Sequence, residues 1–175
     1  MHTLIVGRHD TNRGAFIDRL LGELDPAPRL YGYRSVKETP DETGNAPIYI
    51  YPASGTRYRT RDNLLGWCRD RKSKSEPAAF ARNACLIEDA RPEGLLVMDE
   101  IGPMESKEPR FSAAVLDALD GDTPILASVR DIDIPFLEAV RGHSKARCFF
   151  LTKENAKTLF PEALAHLRAQ LERAR

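Results

Sequence analysis

Apolar positions in this chain alternate between short unbroken runs and longer stretches of helical spacing. Thr3–Val6 is a short run and predicts a strand. Phe16, Ile17, Leu20, Leu21 and Leu24 then recur at the spacing of one helix face, until Pro26 and Pro28 stop the pattern. Residues 30–75 are less regular: Tyr31–Val36 and Ile48–Tyr51 read as strands, and Pro52-Ala53-Ser54-Gly55 as a turn. Ser75-Glu76-Pro77 has the composition of a helix start, and that helix would turn Phe80, Ala84, Leu86 and Ile87 toward the core. Leu95–Met98 is continuously apolar, as suits a strand buried on both faces. Phe111, Val115, Leu116 and Leu119 predict a helix, Ile125–Val129 a strand, Pro135–Val140 a short helix and Cys148–Leu151 a last strand. Pro161 would open a terminal helix with Leu164, Leu167 and Leu171 on one face.

Strands alternating with helices predict right-handed βαβ units and a parallel sheet covered on both sides. The expected class is therefore α/β, with about five core strands, mostly parallel. The irregular stretch at approximately 30–75 reads as a β-rich insertion near the site. A chain of 175 residues without repeats or a low-complexity linker is expected to be a single domain, 1–175, burying roughly two-thirds of its surface. Its 26 basic and 26 acidic side chains cancel, so no global charge draws it to nucleic acid or membrane. Cys68, Cys85 and Cys148 are odd in number and far apart, which predicts buried free thiols in a reducing cytoplasm. The amino terminus runs from Met1 straight into a strand, with no signal-peptide pattern and no apolar segment long enough to span a bilayer.

Two segments carry chemistry. The apolar run 95–98 ends in adjacent carboxylates, Asp99 and Glu100. Carboxylates at the carboxyl end of a central strand lie where open α/β sheets bind ligands, and in phosphoryl transfer such groups hold Mg²⁺ and orient the attacking water. The second segment follows the first strand: Gly7, Arg8, His9, Asp10, Thr11, Asn12, Arg13 and Gly14 occupy the place of a phosphate loop, G-x-x-x-x-G-K-[ST]. On that spacing Asn12 replaces the second glycine, Arg13 the lysine and Gly14 the hydroxyl residue that would hold Mg²⁺. Asparagine tolerates left-handed backbone angles. Arginine keeps the charge but aims it differently. Asp10 adds a negative charge where phosphate would sit. These losses predict weakened Mg²⁺ and nucleotide binding.

Leu95–Glu105, with its Asp-Glu-Ile-Gly-Pro-Met-Glu core, resembles the Asp-Glu-Ile-Gly-Lys-Met-Glu segment of a small nucleoside-triphosphatase family first described from thermophiles, also called cancer-related; Pro103 stands at the lysine. Weaker similarities follow in order along the chain. Gly32-Tyr33-Arg34-Ser35 resembles a Gly-Phe-x-Thr element, and Glu76–Phe80 falls at a helix with a Phe-Glu pair. Ala127-Ser128-Val129-Arg130 sits at a Gly-Thr-Ile-His-like strand end, and Leu151-Thr152-x-x-Asn155 resembles Thr-x-x-Asn-Arg. The resemblance implies a three-layer P-loop NTPase fold of the RecA-like kind, hydrolysing ATP, GTP and other nucleoside triphosphates with Mg²⁺. Asp99 would be metal-associated and Glu100 the catalytic base, with Lys153 and Asn155 bordering a base pocket.

Other candidates have plainer readings. Arg57, Arg59, Arg61, Arg69, Arg71 and Lys72, interleaved with Tyr58 and Trp67, read as a solvated surface before an anion-binding lid or a nucleic-acid face. His143 and His166 have no partners at metal-ligand spacing, and Met98 and Met104 read as core-filling. Three functions remain open: an atypical NTPase, a pseudo-NTPase acting as a binding module for a nucleotide or partner protein, and, least supported, a small P-loop kinase.

Overall fold

The computed structural model describes residues 1–70 and 72–174. Its centre is an eight-stranded sheet. Five strands run parallel: β2 (Leu30–Lys37), β6 (Leu95–Ile101), β7 (Ile125–Arg130), β1 (His2–Gly7) and β8 (Ala146–Leu151), adjacent in that order. Beyond β2, three antiparallel strands, β3 (Ala46–Pro52), β4 (Leu64–Arg69) and β5 (Lys72–Ser75), extend the sheet to one edge. The helices are α1 (Arg13–Gly22), α2 (Pro77–Asn83), α3 (Cys85–Glu88), α4 (Pro109–Asp120), α5 (Pro135–Arg141) and α6 (Ala156–Arg173).

Period-two alternation of the strands divides the core. Leu4, Val6, Leu96, Met98, Ile125, Ala127 and Val129 pack under α2 to α5, against Phe80, Phe111, Val115 and Leu137. Ile5, Leu95, Val97, Leu126, Phe149 and Leu151 pack under α1 and α6, against Phe16, Ile17, Leu20, Ala163 and Leu167. The result is three layers, as the sequence predicts. Gly32 permits the close approach of β2 to β6. Its φ is 89°, and a Cβ there would lie 2.0 Å from the Val97 carbonyl oxygen.

Several elements differ from their expected form. The strand read as 95–98 continues through the acidic pair to Ile101, so the carboxylates sit within β6, where its pairing to β7 shifts register between Met98 and Ile101. β2 belongs to the parallel sheet, leaving β3 to β5 as the antiparallel addition. β4 and β5 fall within the stretch read only as irregular: β5 is Lys-Ser-Lys-Ser, held by its backbone ladder to β4, and lysines suit an exposed edge. Ser75 lies in β5 and caps nothing; Glu76 precedes Pro77 at the start of α2. The terminal helix begins at Ala156 and contains Pro161. The missing proline N–H removes one backbone bond near the start of an 18-residue helix anchored by Ala163, Leu164 and Leu167. The three thiols are free but not buried: Cys85 is exposed, and Cys68 and Cys148 are half-buried. No helix among the described residues is long and apolar enough to cross a membrane.

Candidate functional site

Register builds one row of the site. Arg34 on β2 pairs with Asp99 on β6, and Met98 pairs with Ala127 on β7, so Arg34, Asp99 and Ser128 stand side by side on the α1 face. The Ser128 hydroxyl donates to Asp99 Oδ1. Arg34 Nη1 lies 3.6 Å from Asp99 Oδ2 and 2.6 Å from Asp18 on α1. Burial pushes the Asp99 carboxyl above its ordinary value, opposed by the Ser128 hydrogen bond and the Arg34 charge. Gly14 faces the same carboxylate: a Cβ there would stand 3.5 Å from Asp99 Oδ2.

The turn after β1 brings the second row. At Gly7 a Cβ would collide with Thr11 Oγ1 at 2.5 Å, because the loop folds tightly over its own start. Thr11 Oγ1 donates to the Arg8 carbonyl at 2.8 Å, and Asn12 takes the left-handed conformation, φ 51°, immediately before α1. Arg13, the first residue of α1, then folds back into this turn. Its Nη1 donates to the carbonyls of Gly7 and Arg8, and its Nη2 donates to Glu100 Oε2 at 2.8 Å. The side chain is only 4% exposed. On the other side of Glu100, Arg130 Nη2 and Nε donate to Oε1 at 2.6 and 3.0 Å. Glu100 is thus clamped between two guanidiniums, and its carbonyl accepts from the Tyr33 hydroxyl at 3.0 Å.

A cavity of about 560 Å³ opens beside this clamp, between the antiparallel strands and the Gly102–Glu105 turn. Glu100, Arg130, Glu105, Ser35, Lys37 and His9 are among its lining residues. Glu105 is buried, accepts from the Gly102 amide at 2.8 Å, and is pushed up to about 8 chiefly by burial. Two buried atoms lack a hydrogen-bond partner among the described residues and belong to this region: Arg13 Nε and Ser35 Oγ.

The structure therefore brings Asp99 and Glu100 together with Gly7, Arg8, Arg13 and Gly14. His9 is exposed at the cavity. Asp10 turns away and pairs with Lys153 at 2.8 Å, across a second cavity of about 220 Å³. Asn155 holds the β8–α6 turn, its Oδ1 accepting from Thr152 N at 2.8 Å and its Nδ2 donating to the Phe150 carbonyl at 2.8 Å. Arg34, Ser128, Arg130, Tyr33 and Glu105 are the contributors that sequence reasoning did not single out as site residues. Only strand register and loop packing reveal them. The described members of the basic run stay apart from the clamp: Arg59 pairs with Glu38 at 2.8 Å and Arg57 lies over the Tyr51 ring, while Arg71 lies outside the described residues. Met98 and Met104 are core-filling.

A family model described as NTPase matches residues 78–164. That segment contains Asp99–Glu105 and Asn155 and leaves out the Gly7–Gly14 turn. Nucleoside-triphosphatase THEP1 of Thermofilum pendens is 38% identical over 79 residues, 44% of this chain and 43% of that protein. THEP1 of Pyrococcus abyssi is 34% identical over 83 residues, 47% and 44% of the two chains. Among solved structures, THEP1 from Aquifex aeolicus has a TM-score of 0.74 at 18% identity, covering 95% of this chain and 99% of that one. The human cancer-related nucleoside triphosphatase has a TM-score of 0.68 at 19% identity, covering 96% and 97%.

Over residues 78–164 the chain is similar to the THEP1 nucleoside-triphosphatases, and its fold is like that of the two solved structures. The likeness to the two solved structures extends over nearly the whole fold, a mostly parallel sheet covered by helices on both faces. The match spans less than half the length of these curated relatives.

An NTPase of this family would typically use a divalent metal. The donors present do not fit one. Asp99 supplies a single carboxylate, with one oxygen held by Ser128 and the other facing the Arg34 guanidinium. Gly14 supplies no hydroxyl. No group of three or more His, Cys, Asp and Glu suited to a metal occurs among the described residues.

Proposed function

We propose that the chain binds nucleoside triphosphates at the Gly7–Gly14 turn and the Asp99–Glu100 pair, and that it hydrolyses them slowly. The observation that carries this reading is the position of Arg13. Its guanidinium lies inside the turn, hydrogen-bonded to two loop carbonyls, and neutralises Glu100. A residue meant to deprotonate or orient water is thereby engaged twice, by Arg13 and Arg130. Mg²⁺, which the missing hydroxyl at Gly14 would have helped to hold, is poorly provided for. Phosphoryl transfer depends on positioning and charge neutralisation, so both features raise the barrier, by about tenfold in rate per 1.4 kcal/mol. ATP and GTP are the substrates to test.

The clamp on Glu100 also favours a second reading, a nucleotide-binding module without turnover. One variant series separates the two. Arg13→Lys with Gly14→Thr returns an ammonium and a hydroxyl to the loop, and should raise phosphate release from ATP or GTP. Adding Glu100→Gln should abolish that gain if Glu100 acts on water. Fast hydrolysis by the unmodified chain would refute slow turnover. No gain in the double variant would leave the binding module as the function.

A further inference from the structure

Three arginines reach the acidic pair from three separate elements: Arg13 from α1, Arg34 from β2 and Arg130 from the end of β7. We propose that these guanidiniums, in place of a lysine and a divalent cation, carry the charge of a bound triphosphate, so that nucleotide binds without metal. The inference rests on the nucleotide-site reading above. It adds which groups do the binding.

The positions assign the roles. Arg34, 3.6 Å from Asp99 Oδ2, supplies the counter-charge on the side of that carboxylate that faces Gly14. Arg13 and Arg130 hold Glu100 through three hydrogen bonds of 2.6 to 3.0 Å. The same planar forks accept a phosphate in place of a carboxylate. Glu100 thus acts as an internal anion that an incoming phosphate displaces. Its side chain is 30% exposed and borders the 560 Å³ cavity, so it has solvent to move into, whereas Arg13 at 4% exposure stays fixed. Arg13 Nε, buried and without a partner among the described residues, is one further donor in the same group.

The charges agree with this. In the observed arrangement Arg13, Arg34 and Arg130 are balanced by Asp99, Glu100 and Asp18. Asp18 is largely exposed and shares Arg34 with Asp99. Displacing Glu100 and Asp18 toward solvent leaves three guanidiniums against one buried carboxylate, a cationic pocket that needs no added metal.

Calorimetric titration of the full chain with ATP, in excess Mg²⁺ and again in EDTA, tests the proposal. The two dissociation constants should agree within about threefold. In EDTA, Arg34→Gln and Arg130→Gln should each weaken binding about tenfold or more, the size of a lost charge-assisted hydrogen bond. Glu100→Gln should tighten binding, because it removes the negative charge that competes with phosphate for Arg13 Nη2 and the Arg130 fork. A base acting only on water would leave affinity unchanged. Affinity raised about tenfold or more by Mg²⁺ would overturn the metal-free site and leave the nucleotide reading standing. Absence of ATP binding in both buffers would overturn the nucleotide reading itself. The comparison of buffers uses the unmodified chain, so it holds even if a variant does not fold.

Discussion

Glu105 gives the site a measurable dependence on pH. It is buried, and its carboxyl is pushed up to about 8, mainly because burial penalises the charged form, with Glu100 nearby adding to the effect. In the unfolded chain the same group titrates near 4.5. Between these values the folded protein binds a proton that the unfolded chain has released, so stability falls as pH rises. His2 and His166 act with the opposite sign. Burial lowers both below 6.5, His166 to about 4, so their contribution is lost as pH falls below 6.5. Above 6.5 their effect is flat, and the interval from 6.5 to about 8 reads the Glu105 carboxyl. At about 1.4 kcal/mol per pH unit, Glu105 should lower the unfolding free energy by about 2 kcal/mol across that interval. The Asp99 carboxyl is also raised by burial, and Glu105→Gln isolates the Glu105 part. Urea unfolding at both ends of the interval, for the unmodified chain and Glu105→Gln, is the assay. The variant should match the parent at the lower pH and exceed it at the higher one. Parallel curves for the two proteins would refute a neutral, buried Glu105.

Two other substitutions test the framework that carries the site. Gly32→Ala places a Cβ 2.0 Å from the Val97 carbonyl in a left-handed conformation, and should cost about 3 kcal/mol or more by urea unfolding; a near-neutral result would mean that β2 and β6 are not so closely joined. Phe111→Ala removes the ring that packs edge-on against Tyr33 at 5.2 Å and Phe80 at 5.3 Å, and should cost about 3–5 kcal/mol; a loss under about 1 kcal/mol would show that this cluster is not a packed core.

The linear chain determined a good deal of this protein. Burial on both faces makes a parallel strand continuously apolar, so β1, β6 and β7 were readable as runs, and helical spacing marked α1 and α4. The Asp-Glu-Ile-Gly segment after such a run, together with a glycine-led turn after β1, marks the two halves of the candidate site. The turn's missing lysine and hydroxyl were equally plain. Tertiary structure decided what those halves do to each other. Arg34 and Ser128 are separated from Asp99 in sequence and become its neighbours only through the register of three parallel strands, which no local pattern encodes. Arg13 looked like a displaced substitute for lysine. Its fork instead turns inward, because two loop carbonyls and Glu100 lie within its reach. β5 has no apolar side chain to announce it and exists because β4 offers a backbone ladder. Local pattern specifies which residues prefer burial or a turn. Which charges meet is settled only when distant strands pair, because an ion pair depends on separations of a few ångströms that spacing along the chain does not fix.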